Sequence, residues 1–176
     1  MRKILASFGS LLFFFVAPGT VAGLLPWWIS HWSLEPAFWG HPGLRIAGGI
    51  LVAAGLVPLL ESFARFAWKG LGTPAPPFPT RHLVVSGFYR YVRNPMYLSV
   101  VAIILGEALL FGDVQLFIYA GLVWLGFFLL VLVHEEPTLR KNFGEDYIIF
   151  CRNVPRWLPR LAPWRGNQPA SSFLRR

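Results

Sequence analysis

The chain has 176 residues, is 55% hydrophobic and only 14% charged, and its mean hydropathy is +0.53; a soluble domain carries nearer a quarter charged residues, so it reads as an integral membrane protein with room for one compact domain. The formal charge of +8 does not point to nucleic acid, because the lysines and arginines flank apolar stretches and form no separate patch. The single cysteine, Cys151, excludes an internal disulfide and supplies no CxxC or Cys/His cluster for zinc; it reads as a small, half-buried helix residue.

Taken in chain order, the apolar stretches predict four spans and hence an all-α, polytopic membrane helical bundle. The first covers about residues 4–29. Met1-Arg2-Lys3 and the small residues Thr20-Val21-Ala22 have the outline of a leader with a cleavage site, but the charge-free run continues to Ile29, so a retained span kinked at Pro18-Gly19 is expected. Trp27, Trp28, Trp32 and Trp39 read as an interfacial aromatic belt. The second span covers about residues 44–68 and contains Pro58. Thr73-Pro74-Ala75-Pro76-Pro77-Phe78-Pro79 cannot be helical and predicts an extended, polyproline-like connector. The third and fourth spans, about 95–112 and 114–133, are joined at Gly112-Asp113 as a tight hairpin.

Beyond the fourth span, Leu139, Phe143, Tyr147, Phe150 and Val154 step by three or four, with charged residues between them. That spacing predicts an amphipathic helix over about residues 135–152, lying along the interface or capping the bundle. Residues 1–164 are expected to form one domain, and 165–176 a flexible tail. Residues 30–42 contain no lysine or arginine, whereas nearly all the basic residues fall at the opposite ends of the spans. The positive-inside rule then places both termini in the cytoplasm, with a bacterial inner (plasma) membrane as the expected location. Of the charged groups within spans, Glu107 is expected to pack against Arg45, and Glu61 to pair with Arg65 one turn on.

The hairpin brings two polar clusters to one membrane face: residues 87–97 (Gly-Phe-Tyr-Arg-Tyr-Val-Arg-Asn-Pro-Met-Tyr) and His134-Glu135-Glu136. Arg93 offers a planar fork of donors for a carboxylate. Asn94 offers an amide, and Tyr89, Tyr91 and Tyr97 offer aromatic faces with hydroxyl handles. Glu135 and Glu136 supply carboxylates, and His134 is a candidate base. Such a set suits a ligand with a carboxylate, an amine, a ribose and an aromatic base. The same residues equally suit plain structure: arginine anchors, belt aromatics, and glutamates with Pro137 at the start of a helix. The chain contains no GxGxxG, Walker A loop, GxSxG or HExxH, which removes Rossmann-type dinucleotide binding and the hydrolase signatures.

Over about residues 80–159 these features resemble the shared core of the isoprenylcysteine carboxyl methyltransferase and phospholipid N-methyltransferase group of integral membrane enzymes. The resemblance rests on Leu83, Val84, Gly87 and Tyr89; on Arg93, Pro95 and Tyr97; on Glu135-Glu136; on Phe143, Gly144 and Tyr147; and on Val154-Pro155, in that order. It implies a cytoplasm-facing S-adenosylmethionine pocket without a Rossmann fold, and a lipid or prenylated acceptor entering from the bilayer. By position, Arg81, His82, Leu83, Val84 and Tyr89 would line the cofactor site. Arg93, Asn94, Pro95 and Tyr97 would hold the cofactor's amino-acid end or purine. Glu135 would bind the cofactor with Glu136 beside it, and His134 or Glu136 would take the proton of an amine acceptor. In two places the chain departs from the carboxyl methyltransferases. Asn94 stands where they commonly have histidine, and an apolar residue, about Val131, stands where the eukaryotic ones place a substrate-binding arginine. A lipid amine is therefore at least as plausible an acceptor as prenylcysteine. The alternatives are phospholipid amine N-methylation within the same fold and a non-catalytic lipid-binding or assembly role. A channel would need more polar groups at mid-span than Glu107 and Glu61.

Overall fold

A computed structural model describes residues 16–69, 83 and 85–166. Residues 4–15 of the expected first span, the 73–79 connector, Arg81, His82, Val84 and the tail past 166 lie outside the described residues. Among those described, every regular element is helical. A π turn, Thr20–Leu24, leads into α1, Leu25–Ser30. There follow α2, Gly43–Lys69; α3, Pro95–Phe111; α4, Val114–Leu130; a second π turn, Val131–Glu135; and α5, Glu136–Asn153. Among the described residues, two helices are long and apolar enough to cross a membrane: α2 over Gly43–Arg65, and the helix that starts at Val114. The apolar α3 is shorter, at 17 residues.

The centre of the molecule is the close pairing of α2 and α3. Gly48 and Gly55, two turns apart on α2, face α3, and Gly106 of α3 faces α2. A Cβ added to Gly48 would stand 2.6 Å from the Gly106 carbonyl oxygen, and one added to Gly106 would stand 2.7 Å from Val52 Cγ2. Where no hydrophobic force drives two helices together in lipid, small residues that admit backbone-to-backbone contact are what hold them. Around this seam Leu59, Phe63, Val100, Ile103, Ile104 and Ala120 form the buried core. Tyr119 of α4 donates its hydroxyl to the Val21 carbonyl at 2.8 Å, tying the first π turn to the bundle.

The expected turn between α3 and α4 is present. Gly112 closes α3 in the left-handed region at φ 77°, and the Asp113 side chain accepts the Gln115 amide at 2.7 Å, capping α4. A side chain at Gly112 would also meet the Pro36 carbonyl oxygen at 2.6 Å.

One expectation is corrected and another is refined. The segment expected as an amphipathic helix over about 135–152 forms α5, Glu136–Asn153, and it runs on from α4 through the π turn without a break. Pro137 has no N–H and its ring would strike the carbonyl one α-turn back, and the wider turn immediately before it accommodates both effects. The segment is interrupted at Gly144, with φ 53° and ψ −123°. Arg45 does not pair with Glu107: Arg45 donates to the Glu35 carbonyl, and the Glu107 Oε2 is buried with no hydrogen-bond partner among the described residues. The predicted apolar stripe does pack as one unit, with Tyr147, Phe150 and Val154 buried and Leu139, Phe143, Leu83, Val85, Cys151 and Trp164 against them.

After α5 the chain doubles back as a strap alongside residues 90–93. The Arg93 amide donates to the Pro155 carbonyl at 3.0 Å. The Arg160 and Trp164 amides donate to the Tyr91 and Arg90 carbonyls, each at 2.9 Å.

Candidate functional site

The two polar clusters meet where the ends of α2, α3 and the second π turn converge. On the α2 side, Glu61 and Arg65 form the expected i,i+4 pair. The short 3-10 turn Gly87–Arg90 lies directly on that pair: Gly87 has φ 59°, and a Cβ there would collide with both the Arg65 guanidinium and the Glu61 carboxylate. Glycine at this position is therefore required twice, by conformation and by space.

Pro95 opens α3 at its first turn, where a missing N–H is harmless. Tyr97, in the same turn, stacks on Phe127 of α4 at a centroid separation of 4.4 Å and donates its hydroxyl to Glu135. Tyr89 completes this side. Burial pushes its phenol well above the ordinary range, and the carboxylates of Glu135 and Glu61 push it further, so it stays a neutral hydroxyl. Tyr89, Tyr97, Glu135 and Glu61 thus make one acidic, phenol-rich cluster.

Beside it stands a second cluster. Arg93 Nη1 donates to Glu136 Oε1 at 2.9 Å and contacts Cys151 Sγ at 2.9 Å. Arg156 meets the same carboxylate side-on, Nε to Oε1 at 2.6 Å and Nη2 to Oε2 at 2.8 Å. The bonds to Glu136 push the Arg156 guanidinium up, against the effect of burial. The side chains of Arg93, Glu136 and Arg156 are 12%, 18% and 31% exposed. The Asn94 amide donates to the Arg156 carbonyl at 3.2 Å and so fixes the strap over this cluster.

Of the residues singled out from sequence, Tyr89, Arg93, Asn94, Pro95, Tyr97, Glu135 and Glu136 come together here. The adjacent glutamates part company: Glu135 goes to Tyr97 and Glu136 to the two arginines. Leu83 packs in the second core. His134 is exposed, and its ring makes no hydrogen bond among the described residues. Arg81, His82 and Val84 lie outside those residues. Sequence reasoning missed Arg156 and the place of Glu61 in the cluster. The signal for Arg156 was its position directly after Val154-Pro155, where it reads as one more interfacial charge. Arg93 Nε and Glu61 Oε2 are buried here with no hydrogen-bond partner among the described residues.

The family described as phospholipid methyltransferase matches residues 44–146. That range takes in Glu61, Tyr89, Arg93, Tyr97, Glu135 and Glu136, and stops short of Cys151 and Arg156. Protein-S-isoprenylcysteine O-methyltransferase of Rattus norvegicus is 32% identical over 149 residues, which are 80% of this chain and 50% of that protein. The protein of the same name in Schizosaccharomyces pombe is 34% identical over 77 residues, 44% of this chain and 33% of its own. Protein-S-isoprenylcysteine O-methyltransferase B of Arabidopsis thaliana is 25% identical over 134 residues, 76% of this chain and 60% of its own. The chain thus spans between a third and three-fifths of the length of these relatives. No solved structure gives a significant match. With more than half of its length matched, the chain belongs to the phospholipid methyltransferase family.

Proposed function

We propose that this protein transfers a methyl group from S-adenosylmethionine to a membrane-embedded, lipid-like acceptor at the cytoplasmic face of a bacterial inner membrane. In this reading the first stretch, α2, α3 and α4 are four spans with both termini cytoplasmic. The observation that carries it is the junction of the Tyr97–Glu135 contact with the Arg93–Glu136–Arg156 cluster. The buried atoms left open there fit the donor: Arg93 Nε–H is a free donor for its carboxylate and Glu61 Oε2 a free acceptor for its ammonium. Arg93, Asn94, Pro95, Tyr97, Tyr89 and Glu135 would hold the cofactor, with Arg81, His82, Leu83 and Val84 completing the site. When bound, it supplies an electrophilic methyl group on a sulfonium.

The chain's own contribution is mainly positioning, which suits a displacement that needs alignment and a dry site. Tyr97 orients Glu135. Glu136, held by two arginines, acts as a clamp that sets the Arg93 fork, and we assign it this role in preference to proton removal. His134, unencumbered at the cluster's edge, is the proton acceptor we assign to an amine substrate. A lipid amine is the favoured acceptor. Arg65 and Arg156 are held by carboxylates, the open donor of Arg93 goes to the cofactor, and Val131 is apolar and buried, so among the described residues none of these supplies a counter-charge for an acceptor carboxylate. The names of the relatives support the other acceptor, an isoprenylcysteine carboxylate.

Calorimetric titration of S-adenosylmethionine into the detergent-purified protein tests the reading. Saturable binding is expected, weakened by at least about tenfold in Glu135→Gln, the scale of one charge-assisted hydrogen bond. A folded wild-type protein that binds none overturns it. Transfer of a labelled methyl to phosphatidylethanolamine or to a prenylcysteine then separates the acceptors. Tyr97→Phe keeps the ring stacked on Phe127 but removes the donor; binding is expected to weaken by about three- to tenfold, with the helical spectrum unchanged.

A further inference from the structure

The strap contains a feature that the site does not use. Leu158 is 79% exposed and Leu161 is fully exposed, although both lie in a segment whose backbone is fastened to residues 90–93. Exposed leucines on a tethered segment point to a partner that covers them.

The strap's neighbours identify the partner. Trp157, immediately before Leu158, stacks on Phe128 of α4 with centroids 6.2 Å apart and lies 6.5 Å from Trp124. Phe128 is five residues inside the end of the apolar run at Val133, roughly 7–8 Å at the rise of an α-helix. The strap therefore begins beside the lipid-facing flank of α4, where Leu125 and Leu129 are exposed. Leu161 is four residues on, within at most about 14 Å of chain.

The strap's composition agrees. Residues 154–166 contain Arg156, Arg160 and Arg165 and no acidic residue. Arg156 is paired with Glu136, whereas the Arg160 guanidinium donates to the Asn153 carbonyl and meets no carboxylate among the described residues. Pro155, Pro159 and Pro163 have no N–H to strand away from water, and the Arg160 and Trp164 amides are already bonded. Apolar side chains with flanking arginines are what a segment needs to lie in the headgroup region, where water still reaches its remaining backbone amides.

We propose that this strap is a membrane-seating element: Leu158 and Leu161 insert among the acyl chains of the cytoplasmic leaflet, and Arg160 and Arg165 rest on anionic headgroups. The proposal relies on α4 being a membrane span. Because Arg156 and the Asn94 contact belong to the same strap, seating also steadies the clamp on Glu136.

The test places nitroxide labels at Leu158→Cys, Leu161→Cys and, on the exposed face of α4, Leu125→Cys, each in a Cys151→Ser background. The proteins are reconstituted in bilayers of phosphatidylglycerol with phosphatidylethanolamine. Accessibility to oxygen is compared with accessibility to a water-soluble nickel chelate. The expected result is that all three labels favour oxygen, and that Arg160→Gln with Arg165→Gln shifts the two strap labels several-fold toward nickel. Strap labels in water with the Leu125 label in lipid overturn the proposal and leave the membrane reading intact. A Leu125 label in water overturns both. Should the labelled variants not fold, the unmodified protein serves: trypsin is expected to cut after Arg160 several-fold more slowly in anionic bilayers than in phosphatidylcholine alone, and equal rates overturn the proposal.

Discussion

Glu136→Ala is expected to be among the most damaging single changes in the polar cluster that Arg93 and Arg156 complete. It leaves Arg93 and Arg156 facing each other with no carboxylate between them, and Arg93 is 12% exposed. Removing one partner of a buried ionic cluster is strongly destabilising, because charge remains desolvated without compensation. Partial exposure of Arg156 reduces the effect, and we expect a loss of about 3 kcal/mol. For a chain of this size that is a fall of roughly 6–12 °C in the unfolding midpoint, measurable by thermal melting in detergent. Glu136→Ala combined with Arg156→Ala should cost less than the sum of the single changes, since the pair then leaves together. If Glu136 were instead a base with no clamping role, methyl transfer would vanish while the melting point stayed in place, and the clamp would be disproved.

Gly106→Leu should be comparably severe for a different reason. Its first side-chain atom would already lie 2.7 Å from Val52 Cγ2 and 2.8 Å from both the Gly48 carbonyl oxygen and the Val52 amide. Two of those three obstacles are backbone, which cannot rotate away, so the α2–α3 seam must open along its length. Overpacking typically costs 1–3 kcal/mol where side chains can yield, and here we expect about 3 kcal/mol or more. The control is Gly126→Ala on α4, where nothing lies within 4 Å. The added methyl there should be neutral or raise helix stability by up to about 1 kcal/mol. Equal melting points for the two variants would show that the seam is not close-packed.

Local chemistry was legible in the sequence. The Gly112-Asp113 turn, the Glu61–Arg65 pair and the stripe from Leu139 to Val154 all follow from spacing within a few residues, and each is present. Partnerships across the fold were not legible. Arg156 meets Glu136 from 20 residues away and Arg93 meets it from 43, and no periodicity encodes such distances. The same gap explains Arg45, which was matched to Glu107 by depth alone but is taken up by the Glu35 carbonyl of its neighbouring loop. Pro137 stands in the first turn of α5, as its chemistry favours, but the link backwards was not legible. Nothing in the sequence shows that the π turn joins this helix to α4 without a break.

That π turn has a rotational consequence. A helix advances about 100° per residue, so one extra residue in the ladder between Leu130 and Glu136 reorients everything after it by about that angle relative to α4. The phase so set lets Glu135 address Tyr97 while Glu136, next in line, swings to the arginines and the Leu139–Val154 stripe turns inward. Length is therefore a specificity element in this stretch. Loss or gain of a single residue between Val131 and Glu135 would leave every side chain of the site in the sequence and aim the second half of them at the wrong neighbours.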